Sequence, residues 1–247
     1  GIGRAAGTDP LTTFALQRDR RHTSPDDFPE QLTELRGYLD GDLPADHPFV
    51  RVAQLPGRPE APEVSLLGSS PQSAIWAGEL GLPYVFADFI NSEGSHIAEL
   101  YRERFVGSAR LSKARVTVAT WALCADSDEE AELLSSSSRM AFSLLRETGK
   151  TPPVPTVETA MRFLERREAG LPIRRRRMTL GTPGKVRDGL DAIAREYGAD
   201  EVMIVTITWS HEARKRSYEL VAEAFELDEF HPAGERRPPE RVRDLPD

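Results

Sequence analysis

The 247-residue chain has a single cysteine, few aromatic residues and no long apolar run. Cys124 therefore has no partner for a disulfide within the chain, which is compatible with a reducing compartment. No apolar stretch approaches the roughly 18 residues that cross a bilayer, and the first residues contain no apolar signal core. The five histidines are scattered, so the sequence predicts no metal site. From these absences we expect a cytoplasmic protein without a membrane segment.

The composition is typical of a soluble enzyme. Hydrophobic residues make up 39% of the chain and charged residues 29%, which leaves enough apolar material for a sizeable core. The formal net charge of −8 opposes binding to a phosphate backbone, so we do not expect nucleic acid as a partner.

Short apolar strands alternate with amphipathic helices along the chain. This alternation predicts an α/β fold in which helices cover a parallel sheet. The predicted strands lie at residues 64–67, 84–87, 116–123 and 202–206. The predicted helices lie at residues 11–21, 29–39, 73–80, 95–105, 127–146, 158–166, 183–197 and 212–225.

One stretch, residues 65–87, combines a strand, a Gly-Ser-Ser loop, a helix and a second strand. Gly68 allows the backbone to turn, so that Ser69, Ser70 and Ser73 surround the start of the helix. Unpaired N–H groups, the positive helix end and hydroxyl donors converge there, which predicts an anion site. An ordinary serine N-cap is the alternative interpretation.

The amino-acid sequence of this stretch resembles that of the bacterial luciferase-like flavin monooxygenases. The similarity lies in GSS at 68–70 and AGELGLP at 77–83, and further segments agree in the expected order. These are GIGRAAGTD at 1–9, ELYRERF at 99–105, ADSDEEA at 125–131, GTP at 181–183 and SYELVAEAF at 217–225. The resemblance therefore covers nearly everything up to Phe225.

The resemblance implies a (β/α)8 barrel, but the four predicted strands, with a possible strand end at residues 1–3, make up only about half of one. We therefore expect a partial barrel over residues 1–231 that lacks roughly the first three βα units. An insertion at about 149–180 is expected over the barrel mouth, and residues 232–247 are expected to form a disordered, charged, proline-rich tail. On this interpretation the chain is truncated at its N-terminus and inactive on its own.

The resemblance also implies a set of cofactor-binding residues. Arg4 matches the family's basic residue at the flavin phosphate, and a guanidinium can grip two phosphate oxygens at once. Ser70 and Ser73 match the hydroxyl ligands of the same phosphate, and the amides of Ser69 and Ser70 supply further donors. Phe14 departs from the pattern, because many relatives carry a second arginine there.

Three further residues are candidates for the flavin or substrate pocket. Asp88 and Phe89 follow a predicted strand on the side where barrel active sites lie, although plain packing is an equal alternative. Trp209, past the last strand, is the third. No catalytic residue can be named, because the family's catalytic residues are expected to lie N-terminal to Gly1.

The implied function is that of a flavin-dependent monooxygenase. Reduced FMN from a separate flavin reductase would react with dioxygen to oxygenate a small organic substrate such as an aldehyde or ketone. A dehydrogenase or reductase of the same superfamily, using FMN or a deazaflavin, is the first alternative. A non-catalytic partner subunit or an inactive fragment is the second, and both a homodimer and a heterodimer remain open.

Overall fold

The computed structural model describes residues 1–3, 14–15, 28–51, 62–150, 152–168 and 177–227. Arg4, the predicted tail at 232–247 and most of the predicted helix at 11–21 lie outside these ranges. Within the described ranges, no helix combines the length and the apolar character that a bilayer crossing requires.

Strands and helices alternate along the described chain. The strands are β1 (Ile2–Gly3), β2 (Leu66–Gly68), β3 (Tyr84–Ala87), β4 (Val116–Cys124), β5 (Thr179–Gly181) and β6 (Glu201–Val205). The helices are α1 (Phe28–Asp40), α2 (Pro71–Glu79), α3 (Ser95–Arg104), α4 (Asp128–Thr148), α5 (Val157–Glu168), α6 (Pro183–Tyr197) and α7 (His211–Ala224).

All described strand pairs are parallel and form one six-stranded sheet. Its first four strands lie in the order β1-β2-β3-β4, and both β5 and β6 pair with β4. Strand β4 is long enough to pair with both. Its residues from Thr117 to Trp121 pair with β6, and those from Ala122 to Cys124 pair with β5. The predicted parallel α/β fold is therefore confirmed.

Most of the predicted elements lie within two residues of their observed bounds. Strand β3 and helix α6 have the predicted bounds. Helix α2 begins at Pro71 rather than at the predicted Ser73, because Ser70 caps it and proline suits the first helical position. The three-residue strand β5 was not predicted, since so short a segment shows no periodicity.

The two faces of β3 and β4 have different neighbours. Tyr84 and Phe86 lie on the face covered by α3 and α6, called the helix side below, where the Tyr84 ring packs against Tyr101 and the Phe86 ring stacks on Tyr197. Because side chains alternate along a strand, the residues between them lie on the opposite face. Cys124 belongs to the helix side, where burial raises the pKa of its thiol from 9.0 to about 11.

Three buried tyrosines make the stability of the fold sensitive to alkaline pH. Burial raises the pKa of Tyr84 from 10.0 to about 12, and burial also raises the pKa of Tyr101 and of Tyr197. Above pH 10.0 the phenols ionise in the unfolded chain before they ionise in the native one, so stability falls as the pH rises. We expect the urea midpoint to fall between pH 10.0 and 12. Substituting Tyr84→Phe should reduce that fall, and an equal fall in the variant would contradict the assignment.

Candidate functional site

The Gly-Ser-Ser loop connects the C-terminal end of β2 to the N-terminus of α2. Ser70 is the N-cap residue, and its Oγ accepts a hydrogen bond from the backbone N–H of Ser73 at 3.3 Å. In return the Ser73 Oγ accepts from the Ser70 N–H at 3.3 Å, which completes a capping box. Ser69 and Ser70 are half-buried and Ser73 is buried. The three serines that the sequence singled out therefore lie together at the start of one helix.

A buried hydroxyl from the neighbouring strand supports this loop from below. The Tyr84 hydroxyl lies 3.0 Å from the Ser73 Oγ and 3.3 Å from the carbonyl oxygen of Gly68. The Ser73 Oγ also donates to the carbonyl oxygen of Ser70 at 2.7 Å. Sequence reasoning placed Tyr84 only in a strand, although a tyrosine inside an apolar strand is a signal that its hydroxyl needs a partner.

Gly68 permits this close packing. A Cβ at this position would overlap the Cβ and Oγ of Ser73. The loop and the first turn of α2 can therefore approach each other only because residue 68 has no side chain.

Substituting Gly68→Ala is expected to lower the free energy of unfolding by about 1–3 kcal/mol, since overpacking forces backbone shifts. The measurement is a urea titration. Gly184→Ala is the matched control, because no atom lies within 4 Å of a Cβ built at Gly184. A loss no larger in Gly68→Ala than in the control would show that the loop tolerates a side chain.

Asp88 lies one residue beyond β3 and is 2% exposed. Its carboxylate accepts hydrogen bonds from the Thr120 Oγ1 at 2.7 Å and from the Tyr197 hydroxyl at 3.0 Å. The Arg177 guanidinium forms an ion pair with it at 3.5 Å. Asp88 therefore points toward the helix side of the sheet, on the same face as Tyr84, and its carboxylate is engaged by three partners.

Arg177 joins the segment before β5 to the rest of the fold. Its guanidinium makes a bidentate contact with Glu196 at 2.7 and 3.1 Å and donates to the carbonyl oxygen of Ser92 at 3.4 Å. Desolvation would lower its pKa, but the hydrogen bonds that it donates to Glu196 and the charge of Asp88 outweigh this effect and raise the pKa. Arg177 thus stays charged and holds two acidic residues.

Phe89 lies next to an aromatic cluster formed with Trp121 and Phe142. The Trp121 Nε1 donates to the carbonyl oxygen of Phe89 at 3.1 Å, and the two rings meet edge to face with centroids 5.7 Å apart. The Phe142 ring also meets the Trp121 ring edge to face, with centroids 4.9 Å apart. Trp121 belongs to the face of β4 that turns away from the helix-side core, since it alternates with Thr120. This cluster, at the C-terminal ends of β3 and β4, escaped the sequence reasoning except for Phe89.

Trp209 stands apart from these groups. It follows β6 and is 57% exposed. Phe14, the departure from the family pattern, is also exposed. Arg4 lies outside the described residues, but its predecessor Gly3 pairs with Leu67, so β1 and β2 end side by side.

Comparison with known proteins gives consistent matches over most of the chain. Residues 1–201 match the family model described as luciferase-like monooxygenase. The chain is 38% identical over 231 residues to a luciferase-like monooxygenase of Escherichia coli K12. The aligned part covers 92% of this chain and 67% of that relative. The chain thus spans about two thirds of the length of this relative.

Two solved structures agree with this assignment. Apo-MsnO8 superposes with a TM-score of 0.76 at 33% identity, covering 92% of this chain and 67% of its own. The second structure is the oxygenating constituent of 3,6-diketocamphane monooxygenase from Pseudomonas putida, solved with FMN. It shares the fold, with a TM-score of 0.59 at 18% identity, over 90% of this chain and 69% of its own. On its sequence and its structure, the chain belongs to the luciferase-like monooxygenase family.

Proposed function

We propose that the protein is a flavin-dependent monooxygenase in which the loop at residues 68–73 binds the phosphate of reduced FMN. The single observation that carries this proposal is the arrangement of Ser69, Ser70 and Ser73 at the N-terminus of α2, in a chain of the luciferase-like family. A helix N-terminus with hydroxyl donors at the end of a parallel strand suits a dianionic group.

The donor set fits a phosphate. The reciprocal bonds between Ser70 and Ser73 are long, at 3.3 Å, so both groups can exchange them for stronger bonds to a charged oxygen. Gly68 lets Ser73 lie against the end of β2, because a Cβ at residue 68 would overlap the Ser73 side chain, and so keeps the Ser73 hydroxyl within the loop. Pro71 carries no N–H, so the hydroxyls of Ser70 and Ser73 provide donors in its place.

Arg4 is assigned as the basic partner of the same phosphate. The pairing of Gly3 with Leu67 supports this assignment, because it aligns the ends of β1 and β2 at one edge of the sheet. A guanidinium there would grip two phosphate oxygens.

The flavin ring is assigned to the aromatic cluster of Phe89, Trp121 and Phe142. Phe89 follows β3 and Trp121 lies in the C-terminal half of β4, on the side of the sheet where barrel enzymes have their active sites, and Phe142 of α4 packs on Trp121. Their role would be to orient the ring and to exclude water from the reacting atoms. Asp88 supports this cluster from the helix side rather than joining it, and Trp209 is kept as an outer pocket residue.

Reduced FMN, when bound, would supply the chemistry of oxygen activation, with a separate flavin reductase as its source. The relative from Pseudomonas putida, an oxygenating constituent solved with FMN, is consistent with this assignment. We assign residues 1–231 to an incomplete (β/α)8 barrel and the segment at about 149–180 to a cover of its mouth. Substrates in this proposal are small organic molecules such as aldehydes and ketones.

The test uses the protein expressed from its complete gene, reduced FMN, ¹⁸O-labelled dioxygen and a panel of aldehydes and ketones. The proposal predicts one ¹⁸O atom in a product, with the second reduced to water. Hydride transfer to or from a deazaflavin without ¹⁸O incorporation would instead identify the dehydrogenase alternative. Failure to bind either flavin would identify a non-catalytic subunit.

A further inference from the structure

The Tyr84 hydroxyl lies within hydrogen-bond distance of two groups of the phosphate loop. It comes from the neighbouring strand β3, is fully buried, and reaches the Ser73 Oγ at 3.0 Å and the Gly68 carbonyl oxygen at 3.3 Å. No described charged side chain contributes to this group of contacts. The question is therefore which way the hydroxyl protons point.

Each hydroxyl carries one proton, which limits the arrangements. If Tyr84 donates to the Gly68 carbonyl oxygen, the Ser73 hydroxyl can donate its proton to the Tyr84 oxygen. That proton is then not available to a ligand of the loop. If Tyr84 donates to Ser73, the Ser73 proton is available to another acceptor, which in this structure is the Ser70 carbonyl oxygen at 2.7 Å. The Ser73 Oγ lies 2.7 Å from the Ser70 carbonyl oxygen and 3.0 Å from the Tyr84 oxygen, so its one proton goes to Ser70 and the second arrangement is favoured.

We propose that Tyr84 is a positioning residue of the phosphate site, whose hydroxyl donates to the Ser73 Oγ and so leaves the Ser73 proton free to turn from the Ser70 carbonyl oxygen to the flavin phosphate. This inference rests on the proposed function. Tyr84 does not touch the phosphate, because Ser73 stands between them. Burial raises the pKa of Tyr84 to about 12, so the phenol remains a donor throughout the neutral range.

The decisive variant is Tyr84→Phe, which keeps the ring and removes only the hydroxyl. Tyr101→Phe is the matched control, because Tyr101 is also fully buried, lies in the same core with its ring 5.3 Å from Tyr84, and bonds Leu82 and Arg115 instead. Each protein, expressed from the complete gene, is titrated with FMN and with riboflavin, which lacks the phosphate. The ratio of the two affinities isolates the contribution of the phosphate.

We expect Tyr84→Phe to weaken FMN binding about tenfold and to leave riboflavin binding unchanged, since one charge-assisted bond is misdirected. Tyr101→Phe should leave the ratio unchanged. Equal losses for both ligands in Tyr84→Phe would reveal a merely structural role and overturn the inference. An unchanged ratio would also overturn it.

A second variant, Ser73→Ala, tests the same inference if Tyr84→Phe fails to fold. Because Tyr84 acts through Ser73, Ser73→Ala should lower the FMN-to-riboflavin ratio at least as much, and adding Tyr84→Phe should lower it no further. A ratio unaffected by Ser73→Ala would overturn the inference. The affinities of the parent protein distinguish a failure of this inference from a failure of the proposed function. Equal affinities of the parent for FMN and riboflavin would refute the phosphate site itself.

Discussion

Replacing Ser70 with aspartate is expected to weaken FMN binding about 100-fold or more, because a carboxylate beside the phosphate adds a like-charge repulsion of several kcal/mol. Aspartate caps a helix as well as serine does, so α2 should keep its N-terminus. The loss should therefore fall on affinity and not on folding. An FMN titration and a thermal unfolding curve of Ser70→Asp measure the two effects separately.

The matched control is Ser70→Asn, which also caps the helix but carries no charge. We expect its FMN affinity to lie between those of the parent and of Ser70→Asp. Riboflavin should bind the three proteins alike, because it has no phosphate to repel. If Ser70→Asp bound FMN as tightly as the parent, the phosphate would have to bind elsewhere.

Removing the Asp88 carboxylate is expected to cost the fold about 3 kcal/mol or more in free energy of unfolding. Asp88→Ala leaves the hydroxyls of Thr120 and Tyr197 without their acceptor and leaves Arg177 with one acidic partner instead of two. Buried donors without partners are expensive. The urea midpoint of the variant, compared with the parent, measures this loss.

Glu158→Ala is the control for the loss of an acidic group at the surface. Its ion pair with Arg162 is 3.2 Å long, but the Glu158 side chain is 81% exposed, so water replaces the lost contact. We expect little change in its urea midpoint. An equally small change in Asp88→Ala would mean that the buried network contributes no more than a surface pair.

Local sequence signals were sufficient for much of the fold. Strand β3 is an apolar run between Pro83 and Asp88, and helix α6 lies between Thr182-Pro183 and Gly198, so both have clear boundaries. Strand β5 has no such signal, because its three residues become a strand only by pairing with the C-terminal end of β4. Its position depends on tertiary pairing that local patterns do not contain.

The candidate site divides in the same way. The capping residues Ser70 and Ser73 are three positions apart, so their meeting is a local property that the sequence predicted. The contact between Asp88 and Tyr197 joins residues 109 positions apart. Sequence reasoning therefore left Asp88 open between the flavin pocket and plain packing, whereas strand alternation and its three partners direct it to the helix side.

Tyr84 was missed for a related reason. Its distance from Ser73 depends on the register between β2 and β3, in which Leu66 pairs with Tyr84. That register brings the phenol under the loop, and no spacing along the chain encodes it.

The most direct test of the account is a crystal structure of the protein from its complete gene with FMN bound. We predict phosphate oxygens within hydrogen-bond distance of the Ser70 and Ser73 hydroxyls, at the N-terminus of α2, with the flavin ring against Trp121. A phosphate bound at another helix end, with the loop at residues 68–73 unchanged, would contradict it.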